Sequence, residues 1–281
     1  MNAEIRWGPA VLFCPGDRPD RIIKAAGHAD VVVIDLEDAV GHHRREIARE
    51  YTLAALADLD PDRTIVRVNA PGTADLERDL RALSGCGIHT CMLPKAETRG
   101  QLDELAEWNV IALCETALGV VAAREIATAT NCAGLMWGSE DLAAELGGGP
   151  SRPDDRLSSI MTKARLDVLI AAKAAGVAAV DTVFTKFRDA SGLHAEAFDA
   201  AQCGFDAKAC IHPAQVEVVR GAFAPSEDEV ARARATLAAG RVRSGGAFEL
   251  DGAMIDQPVL RQARRVIARA AVGVRQPADG P

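Results

Sequence analysis

Aromatic residues are scarce. Phe, Trp and Tyr make up 4% of the chain, and Tyr51 is the single tyrosine. A platform that stacks nucleic-acid bases needs more rings than that. Cations are in deficit: 32 Lys and Arg stand against 40 Asp and Glu, a net charge of -8. The basic footprint of a nucleic-acid-binding protein is therefore missing. No apolar run reaches the roughly 18 residues that cross a bilayer. Met1 to Gly8 lack the apolar core and cleavage site of a secretory signal, so none is expected. No C-x-x-C pair occurs among the seven cysteines, which removes zinc knuckles and thioredoxin-like sites. Cys14, Cys91, Cys114 and Cys210 sit inside apolar runs, where a free thiol acts as a small core hydrophobe. A reducing compartment, the cytoplasm, is the expectation. No Pro/Gly/Ser-rich linker divides the chain.

What is present is an ordinary globular balance, 48% hydrophobic and 26% charged over 281 residues. Short runs rich in Val, Ile and Leu alternate with longer stretches of helical period. The runs are Val11–Cys14, Val31–Leu36, Thr64–Val68, Thr90–Leu93, Val110–Cys114, Ala133–Trp137, Ala179–Phe184 and Lys208–Ile211. The stretches are Arg18–Ala26, Arg44–Leu59, Ala74–Leu83, Gln101–Trp108, Val120–Thr128, Arg156–Ala175, Leu193–Cys203 and Ala214–Phe223. Strands apolar on both faces are parallel strands covered by helices. Eight strand–helix units predict an α/β fold, a closed (β/α)8 TIM barrel, with an open doubly wound sheet as the rival. Two more helices, Pro225–Ala239 with Ser226 as N-cap and Gln257–Ala271, follow the eighth unit. Residues 1–240 are expected to form the barrel. Residues 241–281 are expected to be a C-terminal helical extension that packs on a neighbouring subunit.

Barrel active sites lie at the C-terminal ends of the strands. Ionisable residues gather there: Asp17 and Arg18, Asp35-Leu36-Glu37-Asp38, Arg67 and Asn69, Lys95 and Glu97, Glu115, Glu140-Asp141, Asp181 and His212. So many acids at one mouth are costly unless a cation compensates them, and a hard divalent ion is the natural candidate. Glu115 and Asp141 end adjacent strands and can share one metal; each can equally serve a salt bridge or a helix cap. Arg67 interrupts an apolar strand, where it serves either an internal salt bridge with Asp35 or Glu37 or an anion clamp. Arg18, Arg21 and Lys24 open the first helix and can meet phosphate, or simply form a solvated face. Gly147–Gly149 lacks the Lys-Ser/Thr of a P-loop and reads as a lid or turn. His42-His43 reads as surface.

These residues fall in motifs that resemble the citrate lyase beta-subunit-like proteins, within the citramalyl/malyl-CoA lyase and HpcH/HpaI aldolase superfamily. The motifs are Leu12-Phe13-Cys14-Pro15-Gly16-Asp17-Arg18-Pro19, Asp35-Leu36-Glu37-Asp38-Ala39-Val40, Val66-Arg67-Val68-Asn69, Leu93-Pro94-Lys95-Ala96-Glu97, Cys114-Glu115-Thr116, Trp137-Gly138-Ser139-Glu140-Asp141-Leu142, Gly204-Phe205-Asp206 and Ile211-His212-Pro213-Ala214-Gln215. The resemblance runs roughly from Gly8 to Ala271. It implies a Mg2+-dependent barrel, usually a homotrimer, that breaks or forms a carbon–carbon bond in an acyl-CoA, with a 2-oxo acid as the other partner. Glu115 and Asp141 are then the metal ligands, with Glu115 also at the substrate. Arg67 contacts substrate oxygens. Glu37 and Asp38 orient Arg67, and Arg18 and Lys24 meet the CoA phosphates. Met254-Ile255-Asp256-Gln257-Pro258 is similar to the segment whose aspartate, here Asp256, enters a neighbour's site as acid/base. Arg45 and Lys186 depart from the family pattern, where many relatives carry Lys and an acid, and bear on substrate choice. The rival activities are a citryl-thioester lyase beta subunit of a citrate lyase complex, a class II pyruvate aldolase, and a non-catalytic acyl-CoA binder.

Overall fold

The computed structural model describes residues 8–242 and 246–273. Eight parallel strands close into a barrel: β1 (Ala10–Pro15), β2 (Val31–Asp35), β3 (Thr64–Arg67), β4 (Thr90–Leu93), β5 (Asn109–Cys114), β6 (Cys132–Trp137), β7 (Ala178–Asp181) and β8 (Ala207–Cys210). β1 pairs with both β2 and β8, so no sheet edge remains. The barrel expectation is met and the open-sheet rival falls. Around it run α1 (Pro19–His28), α2 (Arg45–Leu56), α3 (Ala74–Leu83), α4 (Arg99–Asp103), α5 (Ala117–Ile126), α6 (Ser139–Leu146), α7 (Ser159–Ala175), α8 (Ala190–Cys203) and α9 (Ala214–Phe223). Then come α10 (Glu227–Val242), a hairpin of β9 (Phe248–Leu250) and β10 (Ala253–Ile255), and α11 (Gln257–Gly273).

Two layers of apolar side chains form the core, as period-2 strands require. Val11, Val31, Val33, Ile65, Met92, Ile111, Leu113, Met136, Val180, Ala207 and Ala209 fill the barrel interior. The alternate residues, such as Leu12, Ile34, Val66, Leu93 and Trp137, pack outward under the helices. Among the described residues no helix is long and apolar enough to cross a membrane.

Two local features differ from the sequence reading. The helix expected over 101–108 is only α4, started by a Thr98/Gln101 capping box; Leu102 and Leu105 are both buried, but Leu105 sits on a turn. The sixth unit holds an extra helix, α6, ended by Gly147 in the left-handed region. Ser226 caps α10 as expected, accepting from the Glu229 N–H at 3.2 Å while Glu229 Oε2 accepts from the Ser226 N–H at 2.8 Å. α10 runs through residue 240, and Leu260 and Ala263 of α11 are buried, as is Ala233 of α10.

Ion pairs tie α2 to α3. Arg45 Nη1 and Arg49 Nη2 donate to Asp75 at 2.6 and 2.7 Å, and Arg49 Nε donates to Asp79 at 2.6 Å. Burial raises the Asp75 pKa, but Arg45 and Arg49 outweigh it and hold the carboxyl at about 2. An unfolded Asp titrates near ~3.9. The pairing thus stabilises the fold above that pH and is lost as pH falls through about 2. In urea titrations, wild type is expected to exceed Asp75→Asn in stability at pH 7, and the gap should close between pH ~4 and ~2. A gap that stays constant over that range removes this assignment.

Candidate active site

Alternation along three strands builds the mouth. Val31 and Val33 of β2 and Ile65 of β3 fill the interior, so Asp35 and Arg67 continue on the same face. Register pairs these two residues directly. Ile111 and Leu113 of β5 are likewise followed by Glu115.

Arg67 Nε and Nη2 donate to the two Asp35 oxygens at 2.8 and 2.6 Å. Nη1 lies 3.1 Å from Glu37 Oε2, but that oxygen accepts no hydrogen bond. Phe13 supports the guanidinium, 5.3 Å from its ring centroid. Burial lowers the Arg67 pKa, but Asp35 and Glu37 more than offset it, so the cation is permanent. Both salt-bridge partners named from the sequence are therefore present. Nη1 is left as the nitrogen that can still donate to a ligand.

Lys95 supplies the second cation. Its ammonium lies 2.5 Å from Glu37 Oε1, 3.6 Å from Asp38 and 3.9 Å from Glu115. Its backbone adopts φ 50°, and its N–H donates to Glu115 Oε1 at 3.0 Å. Burial lowers the Lys95 pKa, and the acids around it, Glu37 first, raise it above the usual value. Burial pushes the Glu37 carboxyl up, against the pull of Arg67 and Lys95.

Glu115 is 2% exposed. Burial, and next the charge of Asp141, push its pKa up to about 8, against Lys95 and Arg67. Asp141 sits in the first turn of α6, half-buried, and carries no hydrogen bond or ion pair among the described residues. Gly138 brings α6 against Glu115: an added Cβ would stand 2.6 Å from Glu115 Cβ and 2.9 Å from Oε2. Gly138→Ala is expected to displace the carboxylate without altering any charge. With Glu115 as a cation ligand, the expected consequence is a loss of divalent-cation affinity of about 10-fold or more. Calorimetric titration checks it, and unchanged affinity counts against the close packing.

Arg67, Glu37, Asp38, Glu115 and Asp141 thus come together by contact or by charge. Arg18 precedes α1, half-buried and paired with Asp20 at 3.4 Å, and Lys24 is exposed on α1. Asp256 caps α11, accepting from the Val259 N–H at 3.3 Å, and no hydrogen bond or ion pair links it to the mouth. Asp35 and Lys95 belong to the site more firmly than the sequence suggested. Register with Arg67 is the signal for the first, and a cation ending an otherwise apolar strand for the second.

Several strand-end ionisable residues point elsewhere. Asn69 donates outward to Asp79 and to the Leu36 carbonyl. Asp181 faces the strand–helix layer, accepting from Trp137 Nε1, Arg165 and Lys208. His212 stacks on Phe187, centroids 5.0 Å apart, in an open cavity of about 410 Å³ beyond β7 and β8.

The described residues contain no group of three or more His, Cys, Asp or Glu arranged to hold a metal. A pair of carboxylates suits a hard cation that keeps water and substrate oxygens as its other ligands. The donor set fits: all oxygen, mutually repelling, and in Asp141 without an internal counter-ion.

The family model described as HpcH/HpaI aldolase/citrate lyase matches residues 9–213. A citrate lyase subunit beta-like protein of Mycobacterium tuberculosis (strain CDC 1551 / Oshkosh) is 51% identical over 94% of this chain and 96% of its own. A (3S)-malyl-CoA thioesterase of Cereibacter sphaeroides (strain KD131 / KCTC 12085) is 35% identical over 93% of this chain and 94% of its own. The crystal structure of CitE from M. tuberculosis in complex with magnesium, acetoacetate and coenzyme A superposes with a TM-score of 0.88. It is 49% identical, covering 95% of this chain and 99% of that one. Barrel and mouth define an α/β enzyme scaffold with a paired-carboxylate site. The chain belongs to the HpcH/HpaI aldolase/citrate lyase family.

Proposed function

We propose that the protein is a Mg2+-dependent carbon–carbon lyase. It cleaves, or reversibly forms, a 3-hydroxy-3-carboxy acyl-CoA such as citramalyl-CoA or malyl-CoA, giving an acyl-CoA and a 2-oxo acid. The observation that carries this reading is the buried Glu115 carboxylate, with the unpaired Asp141 beside it and Arg67 across the same mouth. Magnesium with acetoacetate and coenzyme A in the similar M. tuberculosis structure supports it.

Glu115 and Asp141 would hold the ion. When bound, Mg2+ acidifies a substrate hydroxyl and polarises the carbonyl of the 2-oxo acid. The chain's own groups do the rest. Arg67, locked by Asp35, presents Nη1 to the negative charge that develops on the thioester enolate as the Cα–Cβ bond breaks. Glu37 and Asp38 steady Arg67 and Lys95. The hydroxyl proton must pass to a base as the bond breaks, and an acid must then protonate the enolate carbon. Asp256 of a neighbouring subunit in a homotrimer is assigned that role, delivered by the extension over 241–281. Arg18, paired with Asp20 at 3.4 Å, and the exposed Lys24 are assigned to the CoA phosphates. Seven free thiols, five of them buried, fit a cytoplasmic protein.

Incubation with Mg2+ and malyl-, methylmalyl-, citramalyl-, citryl- and hydroxymethylglutaryl-CoA, scoring both 2-oxo acid and free CoA, tests the reading. Oxo acid released with intact acyl-CoA is expected. Free CoA alone is the thioesterase outcome and overturns the lyase assignment. Mixing inactive Glu115→Gln with inactive Asp256→Asn tests the tail: activity regained on mixing is expected, and its absence removes the shared site.

A further inference from the structure

We infer that Arg152, in the loop between α6 and α7, is a positioning residue that fixes the segment bearing Asp141 and thereby sets the affinity of the mouth for a divalent cation. The inference rests on the reading of Glu115 and Asp141 as the metal-holding pair.

The loop over 147–157 is largely exposed and includes two consecutive non-glycine residues with positive φ, Asp154 at 51° and Asp155 at 63°. Against that background the Arg152 side chain is 7% exposed. Nε and Nη2 donate to the two Glu196 oxygens at 2.8 and 2.9 Å, and Nη2 also donates to the Val183 carbonyl at 2.9 Å. Its guanidinium lies 5.6 Å from the Phe184 ring centroid. Those contacts are sufficient to anchor a loop. Nη1 does something further: it donates to Glu140 Oε1 at 3.0 Å and to Ser139 Oγ at 3.2 Å, the two residues that precede Asp141.

Asp141 has no side-chain partner of its own among the described residues. Its placement is inherited from residues 138–140. Gly138 N–H donates to the Cys114 carbonyl at 3.2 Å, and Ser139 N–H donates to Thr182 Oγ1 at 3.1 Å. The remaining fixings run through Glu140 Oε1, which accepts from Ser139 Oγ at 2.8 Å, Ser151 Oγ at 2.7 Å and Arg152. Arg152 therefore joins a rigid strand–helix layer, through Glu196, to the turn that aims one of the two carboxylates. Such supporting contacts carry about 10- to 100-fold in metal affinity.

The sign of the effect separates positioning from charge. Arg152 is a cation near a cation site, so its removal tightens divalent binding if only charge matters. It weakens binding if Arg152 holds Asp141 in place. Titration calorimetry with Mg2+ alone, with thermal melts as a fold control, decides. Arg152→Met is expected to bind Mg2+ at least about 10-fold more weakly than wild type. Arg152→Lys, which keeps the charge but not the planar fork, should fall between. Ser151→Ala, neutral and small, should weaken binding a few-fold, and it decides the question if Arg152→Met fails to fold. A folded Arg152→Met with affinity at or above wild type, or Ser151→Ala equal to wild type in that case, overturns the inference. Wild type that takes up no Mg2+, or Glu115→Gln that binds it like wild type, removes the metal reading and this inference with it.

Discussion

Glu115→Gln is expected to abolish Mg2+ uptake and to lower turnover by about 10³-fold or more. The size follows from the chemistry assigned to the ion. Lewis-acid stabilisation contributes several kcal/mol at the transition state, and about 4 kcal/mol is already a thousandfold. The amide keeps the shape of the side chain and can still accept from the Lys95 N–H, so the β5 end should hold its geometry. It removes a buried carboxyl whose ionised form burial and Asp141 both disfavour. The metal-free variant should therefore melt no lower than wild type. Loss of activity with stability kept or raised separates a functional carboxylate from a structural one. A folded variant that turns over at wild-type rate with chelator present would eliminate the metal-dependent mechanism. Asp141→Asn is expected to behave alike, because Asp141 also lacks a structural partner.

The barrel was legible because its signal is redundant. Eight apolar runs, each followed by a helical stretch, leave few topologies, and the observed strands fall within one to three residues of the runs. Short elements were less legible. α6 buries little besides Leu142 and Ser139, too few periodic positions to be read as a helix. The β9–β10 hairpin has three-residue strands, yet its turn has a clear sequence mark. Asp251 and Gly252 take φ of 50° and 79°, the two-residue turn that an Asp-Gly pair favours.

At the mouth, residue types were legible and directions were not. Position on a strand gives the face, so Asp35, Arg67 and Glu115 follow from counting by two. One residue of difference turns a side chain out of the site. Val180 of β7 fills the interior and Asp181 does not; in β8, Ala207 and Ala209 face inward and Lys208 faces the helices. Acids that seemed to crowd one opening are thus divided between two compartments, each with its own cations. The compensation expected from a metal alone is shared with Arg67 and Lys95.

The second compartment should be the most expensive place to lose a charge. Asp181 is 0% exposed and accepts from Lys208 Nζ at 2.9 Å, Arg165 Nε at 3.0 Å and Trp137 Nε1 at 2.7 Å. Lys208, equally buried, also donates to the Thr182 carbonyl and to Glu196 Oε1, each at 2.9 Å. Burial raises the Asp181 pKa, but Lys208 and Arg165 outweigh it and keep the carboxyl ionised. Asp181→Asn deprives two buried cations of their shared anion; Lys208 keeps Glu196 and Arg165 keeps only the exposed Asp199, and Arg165 cannot shed its proton. Breaking a buried pair from one side costs about 3–5 kcal/mol, and this variant should lie at the upper end. Lys208→Met should cost about 3 kcal/mol, because Asp181 keeps Arg165 and Glu196 keeps Arg152. The double variant removes an anion and a cation together, so it should be less destabilised than the sum of the two. Urea unfolding of the three variants measures this. Strict additivity, or a cost below about 1 kcal/mol for Asp181→Asn, would show that the pairs are independent and that the layer anchoring Arg152 is not a single network.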